Sequence, residues 1–199
     1  MANAYIFYGK AGSGKGTQAK LLKDYLESLH KKTIPIEAGA HFRVFAQETG
    51  FVQEKTRETI NSGKLMPAFM PIYLWSQALI ESFTSNEEII FDGVARKLEE
   101  APILDSALEY LGFKKVYIFH VHISDDTALS RMESRAALAG SAARSDDKDV
   151  HAAQARLDAY REQVIPVIEY FKAHQLYQLI EINGEVDVEH VFEQIKQVI

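Results

Sequence analysis

Ten residues, GKAGSGKGTQ from Gly9 to Gln18, gather groups that suit phosphate: four glycines, two lysines and two hydroxyls. In such a loop the glycines Gly9, Gly12, Gly14 and Gly16 let backbone N–H groups approach phosphate oxygens. The helix that follows presents its positive end, and Lys15 reaches the terminal phosphates. The pattern departs from G-x-x-x-x-G-K-[ST] at one point, since Gly16 follows Lys15 and the hydroxyl is deferred to Thr17. Further along, IIFDGVAR sets Asp92 at the end of an apolar run, with Gly93 and Arg96 behind it. A carboxylate there suits the water shell of a magnesium ion, a hard cation that takes oxygen ligands, although an isolated Asp-Gly also reads as a turn. Arg131 and Arg135 are four apart and share a helix face, and Arg144 and Arg156 follow. Taken singly, each arginine reads as a solvated surface charge. His120 and His122 alternate in IFHVHI and face one side of a strand; with no third ligand nearby in the chain, they read as sheet residues rather than metal ligands.

The elements that must position these groups alternate. AYIFYGK, TIPIEA, EIIFDG, KVYIFHVHI and YQLIEING read as short strands buried on both faces, separated by helical segments. That order predicts a parallel sheet of about five strands covered by helices, with ligands beyond the carboxyl ends of the strands. Two regions depart from the alternation. From Ala38 to Ser85 about three helical segments follow one another, punctuated by Gly50, NSGKLMP and Pro71. RAALAGSAARSDD has the small, polar composition of a movable surface loop. After it, VHAAQARLDAYREQVIPVIEYFKAH predicts one long helix kinked at Pro166.

Composition narrows the classes. The 199 residues suit one domain with inserts, and 47% hydrophobic with 25% charged residues is the balance of a soluble globular chain. A formal net charge of -6 gives no general attraction for polyanions, so nucleic acid is not an expected partner. No apolar run is long enough to span a bilayer, and the first residues lack the features of a signal peptide, so the expectation is a cytoplasmic protein with no membrane partner. Cysteine is absent, which excludes disulfides and thiolate metal sites.

Gly9 to Thr17 resembles the loop of the adenylate kinases and related nucleoside monophosphate kinases, in which Lys-Gly-Thr is normal; Ala11 stands where that family usually has Pro. IIFDGVAR resembles the family's Asp-Gly-Phe-Pro-Arg, EAGAHFR its Ser-Thr-Gly-Asp-x-x-Arg, and NSGKLMP its Gly-x-Leu-Val-Pro. The resemblance covers nearly the whole chain and implies an α/β P-loop kinase, residues 1–199, with a helical NMP-binding insert at 38–68 and a short lid at 135–147. By resemblance, Gly12, Ser13, Gly14, Lys15, Gly16, Thr17, Arg131 and Arg135 bind ATP, with Arg131 over its adenine. Ala38, Gly39, Arg43, Gly63, Lys64, Leu65, Met66, Gly93, Arg96, Glu100, Arg144 and Arg156 bind the acceptor. Lys15, Arg96, Arg135, Arg144 and Arg156 act on the transferring phosphoryl group, and Asp92 holds Mg2+ through water. The implied reaction is reversible transfer from MgATP to a nucleoside monophosphate, AMP first (ATP + AMP = 2 ADP), by a monomer. GMP or a pyrimidine nucleotide is the alternative acceptor, and a nucleotide-binding module without catalysis is the alternative class.

The departures fall on the acceptor side. Ala38 replaces a Thr that touches adenine in the family, while Ala40 and Ala68 replace acids. Glu100 falls at the place of a Gln that reads adenine's edge. An amide can accept from N6–H and donate to N1, whereas a carboxylate offers only acceptors and suits the N1–H and N2–H of guanine. The plainer reading of Glu100 is a solvated helix residue beside Glu99.

Overall fold

The computed structural model describes residues 2–139 and 149–199. Five strands, β1 (Ala4–Gly9), β2 (Thr33–Glu37), β3 (Glu88–Asp92), β4 (Val116–His122) and β5 (Tyr177–Asn183), form one parallel sheet in the order β2-β3-β1-β4-β5. From β1 the chain passes to the edge strand β2, returns to β3 beside β1, and then crosses to β4 and β5 on the other side, so the loop after β1 opens where the connections change direction, the usual ligand crevice of such sheets. Phe7 is in register with Asp92, and Gly9 with Val121, which brings the ends of β3 and β4 to either side of that loop.

Helices cover both faces. On one face Tyr5, Phe7, Ile90, Phe119 and Val121 pack with Leu22 and Leu26 of α1 (Lys15–Ser28) and with Val191 and Ile195 of α9 (Val188–Lys196). On the other, Ile6, Tyr8, Phe91 and Ile118 pack with Trp75 of α4 (Phe69–Ser82), Leu104 of α5 (Ala101–Tyr110) and Phe171 of α8 (Ile165–Lys172). The central strands are buried on both faces, as continuous apolar runs require. The edge strands β2 and β5 are not: each has exposed and half-buried positions, which corrects the expectation for TIPIE and YQLIEIN. Pro35 is tolerated because β2 is an edge.

Between β2 and β3 lie α2 (Ala38–Phe45), α3 (Phe51–Asn61) and α4, with no strand among them. Pro71 falls in the first turn of α4 and does not break it, because its missing N–H would have had no partner within the helix. After β4 comes α6 (Asp125–Ala139), and α7 (Val150–Ala159) runs into α8 through a π-helical turn at Tyr160–Val164. There the Ile165 N–H donates to the Tyr160 carbonyl, five residues back. The expected kink at Pro166 therefore takes the form of a wider turn just before the proline, which begins α8 where a donor is dispensable. No helix among the described residues is long and apolar enough to cross a membrane.

Candidate active site

The loop leaving β1 is held from below. Lys10 Nζ donates to the Ile123 carbonyl at 2.7 Å and pairs with Asp125 at 2.6 Å, tying the loop to the start of α6. Gly12 and Gly14 have φ of +83° and +87°, the left-handed region that favours glycine, and a Cβ on Gly12 would lie 2.8 Å from the Ala128 carbonyl. Gly14 is the N-cap of α1 and contributes no side-chain cap, and the first turn contains no acid. Its N–H groups are thus left for an anion from outside the helix. The Ser13 hydroxyl is buried and has no hydrogen-bond partner among the described residues.

Lys15 lies partly buried at the mouth of this loop, its Nζ 3.3 Å from the Lys10 carbonyl. Burial pushes its ammonium pKa down to about 8; Asp92 opposes the fall, while Arg96, Arg156 and Arg135 add to it. The Arg96 guanidinium is lowered as well, by burial and then by Arg156. Arg96, Arg156 and Arg135 thus lie near enough to the Lys15 ammonium to disfavour its charge, an arrangement that a polyphosphate would relieve. At the end of β3, one oxygen of Asp92, Oδ1, is buried and accepts no hydrogen bond among the described residues, and Oδ2 would lie 3.0 Å from a Cβ on Gly16. An unspent carboxylate oxygen beside a phosphate loop fits a hydrated hard cation. A side chain following Lys15 would lie against that carboxylate.

A cleft beside this space is lined by Ala38, Gly39, Arg43, Lys64, Leu65, Met66, Gly93, Arg96, Glu100 and Arg156. Every acceptor-side position named from the sequence lines it, Gly63 included, except Arg144, which lies outside the described residues together with the 140–147 part of the expected lid. Gly39 leaves room for Arg43 Nη1, which a Cβ would approach to 3.2 Å. Gly63 has φ +71°, and a Cβ on it would come 2.3 Å from the Ala152 carbonyl, so the turn after α3 sits directly on the backbone of α7. Arg131 does not line the cleft. It lies one turn before Arg135 on α6, close enough to Glu185 to lower that carboxyl's pKa.

Glu100 is not the solvated residue that its neighbour Glu99 suggests. It is 1% exposed, and its Oε2 accepts the Arg96 backbone N–H at 3.2 Å. Burial, the largest influence, raises its pKa to about 7 against the pull of that N–H and the Arg96 guanidinium. The turn holding Arg96 and Glu100 is itself braced. Val94 and Ala95 are fully buried, Ala95 has φ +45°, and its carbonyl accepts the Tyr8 hydroxyl at 3.0 Å. A non-glycine residue in that region is strained and needs such support.

Sequence reasoning missed Tyr8, and it missed Phe42, Ile60 and Pro71 as lining residues. Phe42 was findable, since it lies one helical turn from Ala38. Tyr8 carried no signal beyond being one more apolar residue of a strand.

The family model described as adenylate kinase matches residues 7–176. Among curated proteins, the adenylate kinase of Azobacteroides pseudotrichonymphae is 33% identical over 195 residues, covering 98% of this chain and 95% of its own. Adenylate kinase 1 of Nostoc sp. is 30% identical over 191 residues, covering 96% and 95%. The adenylate kinase of Corynebacterium urealyticum is 29% identical over 188 residues, covering 94% of each chain. With a matching model over most of its length, a phosphate loop at the switch point of a parallel sheet and a cation-lined cleft beside it, the chain belongs to the adenylate kinase family of nucleoside monophosphate phosphotransferases.

Proposed function

We propose that the chain transfers a phosphoryl group from MgATP to AMP, with ATP on the Gly9–Thr17 loop and AMP in the cleft of Arg96 and Glu100. Beyond burial, Lys15 is depressed by Arg96, Arg156 and Arg135, and Arg96 by Arg156; this carries the reading, because it brings the donor loop and the acceptor cleft into one electrostatic field. Lys15 and the loop N–H groups hold the donor phosphates. Arg96 and Arg156 grip the acceptor phosphate, and Arg135, with Arg144, neutralises the group in transit. Transfer of this kind needs positioning and charge neutralisation more than covalent help. Mg2+, held through water by Asp92, supplies further neutralisation of the phosphate oxygens when bound. The acceptor phosphate is already a nucleophile, so no protein base is invoked. Exclusion of water, which would otherwise take the phosphoryl group, is assigned to the expected lid at 135–147, of which 140–147 lies outside the described residues.

The choice of AMP rests on Glu100. A carboxyl that keeps its proton near neutrality offers one donor and one acceptor, the pattern of the amide it replaces, and matches N1 and N6–H of adenine. Ionised, it offers two acceptors and matches guanine, so GMP is the second reading above neutral pH. The enzyme is proposed to act as a cytoplasmic monomer. ADP release from ATP with each of AMP, GMP, CMP and UMP tests the assignment at pH 6 and pH 8.5. AMP as the slowest acceptor at pH 6 would overturn it, and tight ATP binding with no turnover of any acceptor would favour a non-catalytic module.

A further inference from the structure

On the sheet face away from α1, β4 presents His120 and His122 side by side, their ring centroids 3.8 Å apart. The neighbouring strand supplies what the local sequence lacked. Glu181 of β5 is in register with His120, and its Oε2 contacts His122 Nε2 and lies 3.0 Å from His120 Nδ1. The three ligand-type atoms fall within 4.8 Å of one another, the single such group of histidine and acidic residues among the described residues. Despite that 3.0 Å separation, the buried His120 Nδ1 makes no aligned hydrogen bond among the described residues. Closeness without alignment is what two ligands pointing at a shared third body produce.

The outer partner is also in place. His120 Nε2 lies 2.5 Å from the Tyr160 hydroxyl. With the ring proton on Nε2, the phenol oxygen accepts it. That tautomer leaves the Nδ1 lone pair directed at the cluster, as a ligating histidine requires. His122 and Glu181 are about half exposed, so an ion has an entry path and water can complete its shell.

We propose that His120 Nδ1, His122 Nε2 and Glu181 Oε2 bind one borderline divalent transition-metal ion of the zinc class, at a site separate from Asp92. Two imidazoles and a carboxylate with an open fourth position suit zinc and its neighbours rather than magnesium, which prefers an all-oxygen shell. The ion joins β4 to the edge strand β5. Through Tyr160 it also reaches the π-helical turn, one helical turn after Arg156, so occupancy steadies the segment that carries a cleft arginine. This inference does not depend on the phosphoryl-transfer reading.

The test uses the full chain stripped with a chelator, with Zn2+ as the probe in equilibrium dialysis and Co2+ as the spectroscopic probe, both in excess Mg2+. One equivalent of Zn2+ is expected to bind, Co2+ to show the visible absorption of a low-coordinate N/O site, and the thermal midpoint to rise with metal. H122A and E181Q, both at exposed positions, are each expected to weaken binding by roughly 100-fold or more, and Y160F by about 10-fold as a positioning residue. Absence of stoichiometric uptake, or affinity unchanged in either H122A or E181Q, would overturn the proposal.

Discussion

Replacing Glu100 by Gln separates the energetic cost of a buried acid from its role in reading a base. Gln keeps the shape and the oxygen that accepts the Arg96 N–H and removes only ionisation. A rise from the ordinary 4.5 to about 7, at 1.36 kcal/mol for each pH unit, corresponds to about 3 kcal/mol. The sign follows from linkage: a carboxyl whose pKa is higher when folded binds more protons in the native state. Wild-type stability therefore falls as pH rises from 4.5 to 7, and the full penalty is present above that window. Denaturant unfolding of both proteins should show nearly equal stability at pH 4 and an advantage for E100Q that grows to about 3 kcal/mol by pH 8.5. In the ADP-release assay, wild-type kcat/KM for AMP should fall as pH rises through about 7 while that of E100Q stays level, and any GMP activity above neutrality should disappear in E100Q. A stability difference that does not vary with pH would refute the burial argument. An unchanged acceptor preference would refute the base-reading argument alone.

Lys15→Met should lower turnover by orders of magnitude, since it removes charge that acts on the transition state. It should also raise the thermal midpoint at pH 7 by relieving an ammonium crowded by Arg96, Arg135 and Arg156. Because the Lys15 pKa is lowered on folding, its unfavourable contribution is largest below about pH 8 and fades toward its unfolded value of 10.5, so the gain in K15M should shrink over that range. Asp92→Asn should raise the Mg2+ concentration for half-maximal rate by roughly 10–100-fold with the circular dichroism spectrum unchanged. Gly63→Ala, which forces a methyl to 2.3 Å from the Ala152 carbonyl at a φ of +71°, should cost about 2–3 kcal/mol in denaturant unfolding.

Much of this was legible from local pattern. Apolar runs such as AYIFYG and VYIFHVH carry their own strand signal, and the glycines around Lys15 carry theirs. What remained hidden depends on contacts distant in sequence. Nothing in TIPIE or YQLIEIN says that a strand lies at an edge, because edge position belongs to the sheet. Glu181 becomes a neighbour of His120 only through the pairing of β4 with β5. Glu100 sits in a charged stretch, and its burial follows from the braced turn at Val94 and Ala95 and the start of α5. Pro166 announced a disturbance of the helix, and the π turn that precedes it buries Tyr160 and Val164 in the core, contacts that the local pattern does not show.

The space between Gly16 and Asp92 has a consequence for how such loops can change over evolutionary time. A serine or threonine after Lys15 would offer a hydroxyl to the metal directly, the alternative arrangement in phosphate loops, yet its Cβ would press on the carboxylate already placed to serve that metal. That oxygen is the far end of a short side chain and need give only slightly, and phosphate loops that use a hydroxyl after the lysine hold their metal with a strand-end Asp as well. Gly16→Ser introduced alone should therefore be accommodated by a small turn of the Asp92 carboxylate. A lineage could then pass from one arrangement to the other in a single step, gaining a second metal anchor before the first is altered.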